Sequence, residues 1–167
     1  NGHGKSPERR GACSSPGGEG TALFQREEPE VLVVGAGPVG LLSALLLHKR
    51  GVRVEVIDQG QRTSQQSYAL ALHARSLSLL DEAGLTPSLV GRGRVLSRMA
   101  FYEGMDRRAT IDFAKLGGKH PNLLVLRQSV LERSIEDELE RCKVKLRWSH
   151  RLQFLREEGD RTVAVIA

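Results

Sequence analysis

The stretch VLVVGAGPVGL, residues 31–41, joins a short apolar run to the motif G-x-G-x-x-G. In this motif the first glycine permits a tight turn, the second lets the backbone approach a pyrophosphate, and the third lets a helix pack closely on the strand. The unpaired N–H groups at the start of that helix then face the phosphates. We therefore predict a buried strand, a cofactor-binding turn and a helix. The cofactor-binding positions of the turn are Gly35, Ala36, Gly37, Pro38, Val39 and Gly40.

A second predicted strand ends at an acidic residue. Residues 52–56 alternate between apolar and charged side chains, which is typical of a strand, and Asp58 follows them. Asp58 lies about 20 residues beyond the glycine loop, where a dinucleotide-binding fold places the acid that binds a ribose. A carboxylate there repels a 2′-phosphate, so the site is not expected to prefer NADP. The alternative is a glycine-containing turn that binds nothing, with Asp58 as a solvated strand end.

The remaining sequence alternates helical and strand patterns, which predicts an α/β fold. We expect a Rossmann-like dinucleotide-binding domain with an additional β-layer. Ser129 is expected to cap one helix, with Glu132 completing a capping box. The predicted helices cover residues 41–50, 74–83 and 129–139. The predicted strands cover residues 31–34, 52–56, 95–103, 108–113, 123–126, 144–148, 152–155 and 162–166.

Composition separates an N-terminal segment from the rest of the chain. Residues 1–30 are rich in glycine, proline and serine and hold few large apolar side chains, so we predict a disordered tail. Residues 31–167 form the predicted, partial cofactor-binding domain. Residues 31–47 carry no charge, but glycine and proline interrupt this run, so a short strand, a turn and a helix explain it better than a membrane span.

Charge and cysteine content bear on partners and compartment. The net charge is +5, yet aromatic residues make up only 4% of the chain, which does not favour a surface that stacks nucleic-acid bases. The basic residues at 143–147 alternate with apolar ones, as expected of a strand with one solvated face, and no nucleic-acid partner is predicted. Cys13 and Cys142 fit neither a disulfide framework nor a zinc site, so we expect a cytoplasmic protein. His73 and His120 lack further ligands at metal spacing, and no metal site is predicted.

Three blocks of sequence, taken together and in order, resemble the class A flavin-dependent monooxygenases, the group of p-hydroxybenzoate and phenol hydroxylases. The first block is the glycine loop with its strand, residues 31–41. The second is ALALHARSL with the following LL and GL, within residues 69–85. The third is LVLRQ with LE, within residues 124–132. The resemblance extends from residue 31 to about residue 166.

The resemblance implies a cofactor and a reaction. The family holds an extended FAD, with its adenosine end at the glycine loop and at the acid that corresponds to Asp58. NAD(P)H reduces the flavin, which then reacts with O2 and hydroxylates a small aromatic, usually phenolic, substrate. Gln128 matches the glutamine that contacts the flavin in the family. Such chemistry belongs to the cofactor, while the protein positions it and excludes water.

The chain also departs from the family pattern. Tyr68 stands where the family usually has an arginine near the flavin, and Ser78 replaces a frequent glutamate. The chain ends at Ala167, before the family's Asp-Gly and Gly-Asp motifs, so the resemblance implies a domain that is incomplete at its C-terminal side. Tyr68 is interpreted either as a residue that stacks on the flavin or as an ordinary loop residue. Arg75 either pairs with the pyrophosphate or simply begins a helix.

Three functions remain open from the sequence alone, and no catalytic residue is assigned. The first is the FAD-binding portion of an aromatic hydroxylase. The second is a catalytically inactive remnant or regulatory module that binds a nucleotide weakly or not at all. The third keeps the glycine loop but binds NAD, as in a dehydrogenase domain.

Overall fold

A computed structural model describes residues 28–61 and 68–167, so most of the predicted tail lies outside the described residues. The helices are α1 (Pro38–Lys49), α2 (Ala74–Glu82), α3 (Thr86–Val90) and α4 (Gln128–Arg141), with a 3-10 turn at Phe113–Leu116. The strands are β1 (Val31–Val34), β2 (Val54–Ile57), β3 (Ala69–Leu72), β4 (Arg94–Leu96), β5 (Arg98–Glu103), β6 (Asp106–Asp112), β7 (Leu123–Arg127), β8 (Lys145–Arg147), β9 (Leu152–Glu158) and β10 (Arg161–Ile166).

The strands β1, β2 and β8 form a parallel sheet with β2 in the middle. All four residues of β2 are buried, as expected of a central parallel strand. The register pairs Val34 with Ile57 and Ile57 with Arg147, so the carboxyl ends of the three strands lie side by side. In open α/β sheets ligands bind beyond these carboxyl ends. The glycine loop and Asp58 both follow strands at this edge.

The other strands form the additional β-layer, and the predicted α/β class is confirmed. The strands β3, β7 and β4 make an antiparallel sheet, while β5–β6 and β9–β10 are two hairpins. The single strand predicted over residues 95–103 is wrong in one respect. It divides at Ser97 because β4 pairs with β7 whereas β5 pairs with β6. One continuous strand could not serve both sheets.

The apolar core lies between the parallel sheet, the strands β3 and β7, and the helices α1 to α4. Its fully buried side chains are each worth about 1.5–3 kcal/mol when removed from water. The helices α1 and α4 pack against each other through this core, and α4 leads into β8 of the parallel sheet. The largest of these side chains are Leu41, Leu45, Ile57, Leu80, Leu89, Leu124, Ile135 and Leu139.

Two helix starts differ from the prediction. The first helix begins at Pro38 rather than Leu41, because proline suits the first position of a helix, where no N–H partner is needed. The capping prediction at Ser129 is wrong, since β7 runs straight into α4 and Arg127 is the N-cap. Glu132 does not complete a capping box. It is buried on the face of α4 that also carries Ile135.

Charged groups also take part in packing. Glu55 is buried in the middle of β2, and Arg147 Nε on β8 lies 2.7 Å from Glu55 Oε1. Glu30, just before β1, accepts the backbone N–H of Arg53 at 2.9 Å. None of the helices in residues 28–61 and 68–167 combines the length and the apolar character needed to cross a bilayer.

Candidate dinucleotide site

The glycine loop begins with a tight turn at Gly35. Its φ of +108° lies in the region that side-chain-bearing residues rarely adopt. The N–H of Gly35 donates to the carbonyl of Ile57 at 2.8 Å, so the turn is tied to the end of β2. The first motif glycine is therefore required by backbone conformation.

Gly40 lets α1 pack directly on this turn. A Cβ placed on Gly40 would lie 2.0 Å from the carbonyl oxygen of Gly35 and 3.3 Å from Cγ1 of Val33. The first of these is a clash with backbone, which no side-chain rotation relieves. Only glycine allows the helix to approach the strand this closely.

Gly37 faces open space. A Cβ placed on Gly37 would meet no atom within 4 Å. Gly37 is also the N-cap of α1. No side chain caps this helix, and the first-turn N–H groups of a helix have no intrahelical partner. Their partial positive charge favours an anion. The loop thus presents bare amides beside a space that the protein leaves unfilled, which fits a diphosphate group.

Asp58 lies against the glycine loop. Its Oδ2 accepts the N–H of Ala36 at 2.7 Å, and its Oδ1 accepts the N–H of Gly60 at 2.6 Å. A carboxylate has about four lone-pair sites, so each oxygen retains one for a further donor. The structure thus brings Asp58 and the loop together, and it gives the acid a second, structural role that the sequence did not suggest.

Gln128 and Tyr68 meet at the edge of the second sheet. The N–H of Gln128 donates to the Tyr68 carbonyl at 2.8 Å, next to the pairing of Ala69 with Arg127. The Tyr68 side chain is largely exposed. The side-chain Nε2 of Gln128 donates to Oε1 of Glu132 at 2.8 Å.

Glu132 is the residue near this site that the sequence analysis misjudged. It is 3% exposed, and its Oε2 is a buried atom without a hydrogen-bond partner among the described residues. Burial raises the pKa of Glu132 above its ordinary 4.5, the hydrogen bond from Gln128 opposes this, and the charges of Glu136 and Asp58 raise it further. The charge of Asp58, which lies against the glycine loop, is among the causes that raise this pKa. The sequence did contain a signal for this pair, because residues four apart on a helix, such as Gln128 and Glu132, are close enough for their side chains to form a hydrogen bond.

Arg75 is not drawn into this group. It lies in the first turn of α2 with an exposed side chain, and its N–H donates to Nδ1 of His73 at 3.3 Å. No hydrogen bond joins it to the glycine loop or to Asp58 within residues 28–61 and 68–167. The same residues contain no cluster of three metal-ligating side chains.

Comparison with known proteins places this site in a family. The family model described as "FAD binding domain" matches residues 28–167. Pentachlorophenol 4-monooxygenase of Sphingobium chlorophenolicum is 32% identical over 117 residues, which is 70% of this chain and 22% of that protein. 6-Methylpretetramide 4-monooxygenase of Streptomyces rimosus is 34% identical over 142 residues, which is 84% of this chain and 26% of that protein.

A solved structure agrees with the sequence comparisons. The p-nitrophenol 4-monooxygenase of Pseudomonas putida has 30% identity and a TM-score of 0.76, covering 81% of this chain and 35% of that one. The chain spans about a quarter of the length of the two relatives named above. The predicted resemblance is confirmed: the chain belongs to the FAD binding domain family of flavin-dependent aromatic monooxygenases.

Proposed function

We propose that this chain is the FAD-binding portion of a monooxygenase that hydroxylates a small phenolic substrate with NAD(P)H and O2. One observation carries the proposal. The open space at Gly37 adjoins both the uncapped start of α1 and the Asp58 carboxylate, which holds the Ala36 amide at 2.7 Å. A diphosphate and its neighbouring ribose require these groups side by side.

Each residue has a part in this proposal. The amides of Gly37, Val39 and Gly40, which neither Ile57 nor Asp58 accepts, bind the pyrophosphate. The free lone pairs of Asp58 accept the ribose hydroxyls. We assign Gln128 to a part of the cofactor beyond the ribose; its backbone N–H donates to the carbonyl of Tyr68, whose side chain is exposed. FAD, when bound, supplies the oxidation chemistry, while the chain binds and orients it. Arg75 binds the pyrophosphate only if its exposed side chain turns toward the loop.

The substrate class and the reductant are inferred from the relatives. One is named for pentachlorophenol and another for 6-methylpretetramide, and both are named monooxygenases. A monooxygenase reduces one oxygen atom of O2 to water and so needs an electron donor, for which we propose NAD(P)H. Cys142 is disulfide-bonded, so the cysteines do not support the reducing compartment expected from the sequence.

Titration of the purified chain with FAD and, separately, with NAD tests the proposed cofactor. We expect FAD to bind with shifted visible absorption bands and quenched fluorescence, and NAD to bind more weakly. Binding of NAD without FAD would instead identify a dehydrogenase-type domain, and binding of neither would identify an inactive remnant. Both results contradict the proposal.

The Asp58→Asn variant then tests the ribose contact. It retains one acceptor oxygen for a loop amide but removes the negative charge, and hydrogen bonds to charged groups are worth about 1.5–3 kcal/mol. FAD binding should weaken by about tenfold or more, at roughly 1.4 kcal/mol per factor of ten. Asp137→Asn, at an exposed position on α4, is the matched control and should bind FAD as the wild type does.

A further inference from the structure

We propose that Glu132 is a positioning residue, which holds the Gln128 amide so that its carbonyl oxygen faces the cofactor as a hydrogen-bond acceptor. The proposal rests on the proposed FAD function and deepens it. The recognised group is an N–H or O–H donor in the part of FAD beyond the adenosine diphosphate. Gln128 would recognise this part of FAD by accepting a hydrogen bond from that donor group.

The burial of Glu132 is costly for stability. Its side chain is almost fully enclosed, and one carboxyl oxygen lacks a partner among the described residues. A buried polar atom without a hydrogen bond costs about 1–3 kcal/mol, and an apolar side chain of similar volume often packs there without this cost. Packing alone therefore does not account for a carboxylate at this position.

The contacts of Gln128 give the carboxylate a role. The backbone N–H of Gln128 is fixed on the Tyr68 carbonyl at 2.8 Å, which sets where the side chain begins. Its Nε2 is fixed on Glu132 Oε1, also at 2.8 Å. A carboxylate only accepts hydrogen bonds, so it selects the nitrogen end of the amide. Because the amide is planar, the carbonyl oxygen of Gln128 is directed away from Glu132.

The location of the pair fits this role. Asp58, which we assign to the ribose, is close enough to Glu132 to affect its ionisation. Gln128 is only partly buried, so a ligand that extends from the glycine loop can reach its oxygen. We therefore assign the adenosine end of the ligand to the glycine loop and Asp58, and its far end to Gln128.

Binding of FAD and of ADP by the same variants tests the proposal, because ADP lacks the part of FAD that Gln128 contacts. Glu132→Met removes the acceptor and should weaken FAD binding about tenfold, the effect of one lost hydrogen bond, while ADP binding stays within about twofold. Glu132→Gln retains an acceptor oxygen and should restore most of the FAD affinity. Glu140→Met, at an exposed position on the same helix, should change neither.

Thermal unfolding distinguishes the positioning role from a purely structural one. If Glu132 served only to stabilise the fold, Glu132→Met would lower the unfolding temperature. Glu132→Met should unfold at the same or a higher temperature than the wild type, although it binds FAD less tightly. Wild-type FAD affinity in Glu132→Met, or an equal loss of FAD and ADP binding, would overturn the positioning role alone. Failure of the wild-type chain to bind FAD would overturn the proposed function and this inference together.

Discussion

The close contact between α1 and the turn at Gly35 makes Gly40→Ala a severe substitution. The new Cβ would lie 2.0 Å from the Gly35 carbonyl oxygen, whereas real Cβ contacts stay beyond about 3 Å. The helix α1 must therefore move about 1 Å away from the turn at Gly35. Overpacking of this kind costs about 1–3 kcal/mol, and contact with backbone favours the upper end. Because alanine favours a helix over glycine by about 1 kcal/mol, the net loss in the free energy of unfolding should be about 2 kcal/mol.

Thermal unfolding followed by circular dichroism measures this loss. At about 2–4 °C per kcal/mol for a chain of this size, Gly40→Ala should lower Tm by about 4–8 °C. Gly37→Ala is the matched control, because its Cβ meets nothing within 4 Å and its backbone is extended. The control should lose only the small difference between glycine and alanine as N-cap, less than about 1 kcal/mol. Equal Tm values for Gly40→Ala and the wild type would refute the close-packing explanation.

Three further predictions concern side chains around the sheet. Asp58→Ala leaves two backbone N–H groups without their acceptor, so it should lower stability by about 1–3 kcal/mol in chemical denaturation even without cofactor. Arg147→Met leaves the buried Glu55 carboxylate unpaired. It should cost less than the roughly 3–5 kcal/mol of a fully buried pair, because the Arg147 side chain is 39% exposed, and the double variant with Glu55→Met should largely recover the loss. Burial and the neighbouring charge of Glu136 raise the pKa of Glu132, so wild-type stability relative to Glu132→Gln should fall as the pH rises above 4.5. A denaturation midpoint difference that stays constant from pH 4 to pH 8 would contradict this last prediction.

The sequence predicts the parallel sheet and glycine loop well because their signals are local. Each of these features follows from residues that are close together in the sequence. They are the buried strand, the three spaced glycines and the acid after the next strand, and none of them depends on a distant residue. The strands predicted over residues 152–155 and 162–166 are likewise confirmed as parts of β9 and β10, which form a hairpin because Gly159 and Asp160 supply the turn between them.

The errors arise where a distant partner decides the structure. The division of residues 95–103 depends on β7, which pairs with β4 but not with β5. Glu132 has the spacing of a capping residue, yet the N-cap of α4 is Arg127, two residues before the predicted Ser129, and packing against the core buries this side chain. A capping pattern contains no information about burial, which explains why the Gln128–Glu132 pair was missed.

The dissociation constant for FAD in Gly37→Val bears most directly on the open space beside the glycine loop. Valine tolerates the extended backbone at this position and its Cβ meets no protein atom, so the variant should fold with little change in Tm. Its side chain would fill the space assigned to the diphosphate. FAD affinity should therefore fall by on the order of a hundredfold, or about 2.7 kcal/mol. A folded Gly37→Val that binds FAD with the wild-type constant would contradict the proposed site.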